Sequence, residues 1–111
     1  MEMRSETVEQ IGVLNLVGRL EASNSGELKQ KVTDLVNGGQ VLILADMSQV
    51  DFIDSSGLGA LVACLRSASK AGGIFKIASL QEYTRNLFSI TRLDRVFELF
   101  DERDAALKSF K

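Results

Sequence analysis

Apolar positions along this chain follow two periods in turn, one of strands and one of helices. Residues Met3 to Glu9 and Val13 to Leu20 read as strands. A short connection at Gln10-Ile11-Gly12 makes them a hairpin, and the Val- and Leu-rich second strand is the more buried. The period then becomes helical. Asn24 can cap, Glu27 follows three residues later as in a capping box, and Leu28, Val32, Leu35 and Val36 share one face. Gly38-Gly39 ends that helix, because glycine accepts the left-handed backbone a helix end often needs. Val41 to Ala45, read as VLILA, has no charge on either face, as expected of a central strand covered on both sides.

A second helix starts at Ser55. Leu58, Leu61, Val62 and Leu65 form its apolar stripe, Ala60, Ala63 and Ala68 allow close packing, and Gly72-Gly73 ends it. Ile74 to Ala78 is the next strand. Ser79 with Glu82 offers another capping box, for a third helix lined by Tyr83, Leu87, Phe88 and Ile90. Val96 to Phe100 reads as a last strand. Asp101 then caps a final helix with Ala105, Ala106 and Leu107 inward. The predicted order is β-β-α-β-α-β-α-β-α. This is an α/β fold, a mixed sheet of about five strands with about four helices packed against it and an antiparallel opening hairpin. No repeat, low-complexity stretch, proline or linker interrupts it, so residues 1–111 read as a single domain.

Composition narrows the function. Hydrophobic residues make up 45% and charged residues 25%, a globular balance that argues against disorder. A formal net charge of -2 gives no general attraction for phosphate backbones, so direct nucleic-acid binding is not expected. No apolar run approaches the ~18 residues of a membrane span, and Met1 to Gln10 lacks the basic and apolar blocks of a signal peptide. The lone Cys64 cannot form an internal disulfide, which fits a reducing cytoplasm, and its mid-helix position reads as a buried structural thiol. The chain has no histidine. A zinc site or a Ser-His-Asp triad is thereby excluded, although carboxylate-only metal sites stay open. With no phosphate-cradling glycine loop followed by lysine either, the chain reads as a non-enzyme needing no cofactor.

The informative stretch is Asp46 to Leu61, DMSQVDFIDSSGLGAL, from the end of the buried strand into the second helix. In open α/β sheets, sites gather at the carboxyl ends of strands. Asp46, Asp51, Asp54, Ser55 and Ser56 all fall there in this reading. Ser55 or Ser56 can be a plain N-cap, its hydroxyl accepting a backbone N–H. Alternatively the hydroxyl is a phosphate acceptor, since a helix start offers free N–H groups and the positive end of a dipole. Both can hold together. Gly57 and Gly59 leave the first turn nearly bare, at about 1 kcal/mol each against alanine. They serve either the approach of another protein or tight packing on the sheet.

These residues resemble the STAS family, in particular its anti-sigma factor antagonists. DSSGLG after an apolar strand and a polar loop is similar to the family signature. Gly18-Arg19-Leu20-Glu21 resembles its G-x-L-D, and Leu93-Asp94-Arg95-Val96-Phe97 its L-D-x-V-F. Glu21 stands where aspartate is common, and Arg92 where glycine is common. The resemblance implies partner switching. An unphosphorylated antagonist binds an anti-sigma factor that is also a serine-threonine kinase, and is released when phosphorylated on the first hydroxyl after the motif aspartate, here Ser55. A serine phosphatase reverses the step. Carried over residue by residue, the partner surface comprises Glu21, Asp54, Ser56, Gly57, Leu58 and Gly59. The resemblance equally admits a subunit of a stressosome-like, signalling or transporter complex. A receiver-like acceptor at Asp46 is the rival chemistry, but the N-terminal half lacks the acidic pair it needs. Acid separates the two, since phosphoserine survives it and an acyl phosphate does not.

Overall fold

The computed structural model describes all of residues Met1–Lys111. One sheet holds β1 (Glu2–Val8), β2 (Ile11–Leu20), β3 (Leu42–Ile53), β4 (Ile74–Ala78) and β5 (Leu99–Phe100), side by side in chain order. β1 runs antiparallel to β2, and the other neighbours are parallel. The helices are α1 (Ala22–Asn37), α2 (Ser55–Lys70), α3 (Glu82–Ile90) and α4 (Arg103–Ser109), with a 3-10 turn at Leu93–Arg95. The element order is the predicted one.

Strand alternation decides which helix covers which face. Leu14 and Leu16 of β2, Ile43 and Ala45 of β3, and Phe75 and Ile77 of β4 join Leu28 of α1, Leu61 of α2 and Phe88 of α3 in the larger core. Val13, Leu44 and Ala78, one residue out of step, meet Ala106 of α4 on the opposite face. The VLILA run is therefore covered on both faces, which its lack of charge requires. Cys64 lies in the larger core, and burial pushes its thiol up to about 12, which makes it a packing group rather than a nucleophile.

Several boundaries differ from the sequence reading, each for a local reason. The hairpin turn is Glu9-Gln10, both at positive φ, because Val8 pairs with Ile11; Gly12 lies inside β2. β3 runs 12 residues, well past its apolar part. Its polar half stays paired with β2 through two register shifts. α1 starts earlier than Asn24: Glu21 is the N-cap, and the Asn24 side chain reaches back to accept its N–H at 2.9 Å. The Ser79–Glu82 box does not form, because Ser79 adopts φ 64° and Gln81 precedes α3. Thr84 and Phe88 are the buried residues of α3, while Tyr83 and Ile90 are exposed. The last strand shortens to Leu99–Phe100 because Phe97 turns into the core, edge-on to Phe75 and Phe88. Glu102 rather than Asp101 stands at the N-cap position of α4, without a side-chain cap; Ala106 is buried and Ala105 exposed.

Arg92 adopts φ 63° just before the 3-10 turn. A side chain in that region is disfavoured by about 1–2 kcal/mol, and glycine gives back part of the gain as unfolded-chain entropy. Arg92→Gly is expected to stabilise the fold by about 0.5–1 kcal/mol. Urea unfolding reads this as a higher midpoint with unchanged slope; a lower midpoint would refute it.

α4 is tied across the sheet by Arg103. Its guanidinium bonds Glu6 of β1, Asn15 of β2 at 2.8 Å and Asp46 of β3 at 3.4 Å. The hydrogen bond from Arg103 holds the Glu6 carboxyl below its ordinary 4.5. A carboxylate so depressed adds stability above its unfolded pKa, and that stability is lost as pH falls through the folded one. The native chain should therefore lose more stability than Glu6→Gln as pH drops below 4.5. Denaturant midpoints at neutral and acid pH compare the two; parallel losses would show that the pair is not felt.

Candidate functional site

β2 and β3 end side by side, Leu20 opposite Ile53, and the Asp54 N–H donates to the Leu20 carbonyl at 3.1 Å. A helix begins just beyond each strand, so the N-termini of α1 and α2 meet at one point. Asp54 joins them. Its Oδ1 accepts the Gly57 N–H at 2.8 Å, and its Oδ2 accepts the Ala22 N–H at 3.0 Å. One carboxylate thus caps α2 and also satisfies the first N–H of α1.

α2 starts at Ser55, as read from sequence, but the cap differs. The N-cap of α2 is Asp54, not Ser55 or Ser56, which are the first two helical residues. The signal was present, since aspartate caps as well as serine does. Both serines are exposed. Their backbone N–H groups have no intrahelical partner, being in the first turn. An exposed hydroxyl, relieved of capping, beside the positive end of a helix suits an acceptor of an anionic group. Asp54 has both oxygens engaged with N–H groups, which fixes its carboxylate in place beside Ser55.

The two glycines separate cleanly. A Cβ on Gly57 would lie 2.6 Å from the Leu20 carbonyl oxygen and 2.9 Å from Ile53 Cγ2. A Cβ on Gly59 would meet nothing within 4 Å. Packing on the sheet therefore explains Gly57 and does not explain Gly59. Leu58, between them, is half-buried against the larger core.

Glu21, half-buried beside Asp54, accepts the Arg19 Nε–H at 3.1 Å. The Arg19 guanidinium lies 4.1 Å from the Phe52 ring centroid, and Phe52 stacks on Tyr83. Arg19, Phe52 and Tyr83 thus flank the site; sequence reasoning misses them because the apolar run that marks β3 ends at Ala45 and the three come from separate elements. Asp51 is exposed near the end of β3. Asp46 is not brought to the site. It sits within β3, bonded to the Ser48 N–H and to Arg103. No three or more Cys, Asp or Glu side chains gather in a group able to hold a metal ion.

Residues 2–106 match the family model of the STAS domain. The chain belongs to the STAS-domain family. This STAS domain is 36% identical, over 102 residues, to a candidate anti-sigma factor antagonist of Thermotoga neapolitana, covering 91% of this chain and 90% of the relative. Its fold matches the crystal structure of a candidate anti-sigma factor antagonist of Thermotoga maritima with a TM-score of 0.91 at 30% identity, over 96% of this chain and 92% of that one. The Bacillus anti-sigma factor antagonist SpoIIAA, in its unphosphorylated form, shares the fold at a TM-score of 0.75 and 18% identity, over 97% and 96% of the two chains. No helix of this STAS domain is long and apolar enough to cross a membrane.

Proposed function

We propose that this STAS domain is an anti-sigma factor antagonist that works by partner switching, with Ser55 as its phosphate acceptor. One observation carries the reading. Ser55 stands exposed at the start of α2 while Asp54 does the capping, so the hydroxyl is available to another protein. The names of the Thermotoga relatives and of SpoIIAA support the partner class. Unphosphorylated, the domain binds an anti-sigma factor that is also a serine-threonine kinase; the kinase transfers the γ-phosphoryl of its ATP to the Ser55 hydroxyl, leaving ADP, and lets go. A serine phosphatase restores the binding form. The domain acts by binding and catalyses nothing itself.

Each neighbour has a role in this reading. Gly57 lets α2 lie against the end of β2, which fixes where Ser55 points. Asp54 and Glu21 order the two helix starts beneath the contact. Ser56, Leu58 and Gly59 complete the surface, with Gly59 leaving room for the partner's backbone. The test captures partners on the immobilised domain, identifies them by mass spectrometry, and repeats the kinase reaction with purified components. Wild type should take phosphate on Ser55. Ser55→Ala should bind as well and take none, whereas phosphate uptake at the normal rate would end the assignment.

A further inference from the structure

The exposed face of α2 continues past its first turn. At about 100° per residue, Ser55, Gly59, Val62, Arg66 and Lys70 fall along one line. That line spans about 22 Å at 1.5 Å per residue. Beyond the bare turn it becomes a shallow groove of about 370 Å³ lined by Gly59, Val62, Ala63, Arg66, Ser67 and Lys70. Val62 and Ala63 are half-buried, while Arg66 and Lys70 are exposed. The sequence of α2, SSGLGALVACLRSASK, contains no acid. The ion pairs of the chain engage Arg4, Arg19, Lys76, Arg85, Arg103 and Lys111; Arg66 and Lys70 are unpaired, as are Lys29, Lys31, Arg92, Arg95 and Lys108. The chain as a whole carries -2, so this cationic stripe runs against its overall charge. The helix dipole favours a last-turn lysine and accounts for Lys70. It does not account for Arg66 one turn earlier, nor for the small apolar floor leading to it.

We infer that this stripe is a docking element for an acidic segment of the protein that reads Ser55; the inference rests on the partner-switching reading above. The occupant is a protein surface with carboxylates opposite Arg66 and Lys70 and small apolar contacts over Val62 and Ala63. Charge complementarity of this kind acts mainly on encounter and orientation. The two ends are separate levers. Arg66 lies about 16 Å along the helix from Ser55. The Debye length at physiological ionic strength is about 8 Å, so the phosphate does not neutralise the stripe. Effects at the two ends should therefore multiply.

The test uses the full chain and the purified kinase-type partner recovered by capture, with association followed at about 50 and 300 mM salt. Arg66→Glu with Lys70→Glu should weaken binding about 10-fold at low salt, chiefly through slower association, and the difference should shrink at high salt. Lys108→Glu is the control. It reverses a last-turn lysine on α4, across the sheet, and should change binding less than about twofold. Ser55→Asp is measured alone and combined with the double reversal. If the reversal leaves association and its salt dependence unchanged while Ser55→Asp weakens binding, the stripe is overturned and the Ser55 reading stands. If Lys108→Glu weakens binding as much per charge reversed as the double reversal does, the effect belongs to net charge and the stripe is equally overturned. Loss on charge reversal with no effect of Ser55→Asp would support the stripe and sink the phosphorylation reading.

Discussion

Gly57→Ala is expected to destabilise the fold by about 2 kcal/mol and to weaken partner binding with it. The added methyl would meet the Leu20 carbonyl oxygen at 2.6 Å and the Leu20 Cγ and Ile53 Cγ2 at 2.9 Å. The carbonyl cannot swing aside without giving up the bond it accepts from the Asp54 N–H at 3.1 Å. α2 must lift instead, which also pulls the Gly57 N–H from Asp54 Oδ1. Overpacking costs about 1–3 kcal/mol and a lost cap about 1, whereas the helix preference of alanine returns about 1. The sum favours destabilisation. Gly59→Ala carries the opposite sign: with nothing within 4 Å of the new methyl, only the gain of up to about 1 kcal/mol remains. Urea midpoints of the two variants should therefore move apart. A rise in both would mean that the close approach at Gly57 does not constrain the chain. Weaker partner binding by the more stable Gly59→Ala would show that this bare turn serves contact rather than folding.

The difference between those glycines is invisible in DSSGLG, and it illustrates where sequence reading ends. The fold was legible because its core obeys simple periods: Leu14 and Leu16 alternate with Val13, and VLILA has no polar face to expose. The second half of β3 was not legible, because its polar residues are held in the sheet by pairing with β2 across two register shifts. Caps were ambiguous for a related reason. Asp54, Ser55 and Ser56 are all residue types that favour the N-cap position. What selects Asp54 is the Ala22 N–H, brought within 3.0 Å by the parallel pairing of β2 with β3. Asn24 followed the same logic, acting from inside α1 on Glu21 rather than starting the helix. The Arg19–Phe52–Tyr83 stack joins three separate elements, and no local pattern announces it. The motif thus located the hydroxyl, but the reason it is free lies in tertiary structure.

Phosphorylation of Ser55 is expected to change folding stability by less than about 1 kcal/mol and to weaken partner binding by at least about 100-fold. In the free domain the new charge sits in solvent at the first turn of α2, where the helix dipole favours it by about 0.3–1 kcal/mol. The neighbouring Asp54 carboxylate opposes it, and solvent screens both effects. The docked state lacks that screening. A partner surface laid over Ser55 must strip water from a group of about -1.5 to -2 charges, and a buried charge without a counter-charge costs several kcal/mol. About 2.7 kcal/mol already gives a 100-fold loss. Ser55→Asp places a single, shorter charge at the same spot and should lose only about 10-fold, while Ser55→Ala keeps full affinity. Urea unfolding of the two forms, alongside titration calorimetry with the partner, separates surface from fold. Equal affinity of the phosphorylated domain would remove the switch altogether. A phosphorylated domain that unfolds several kcal/mol more easily would move it from the docking surface into the stability of α2.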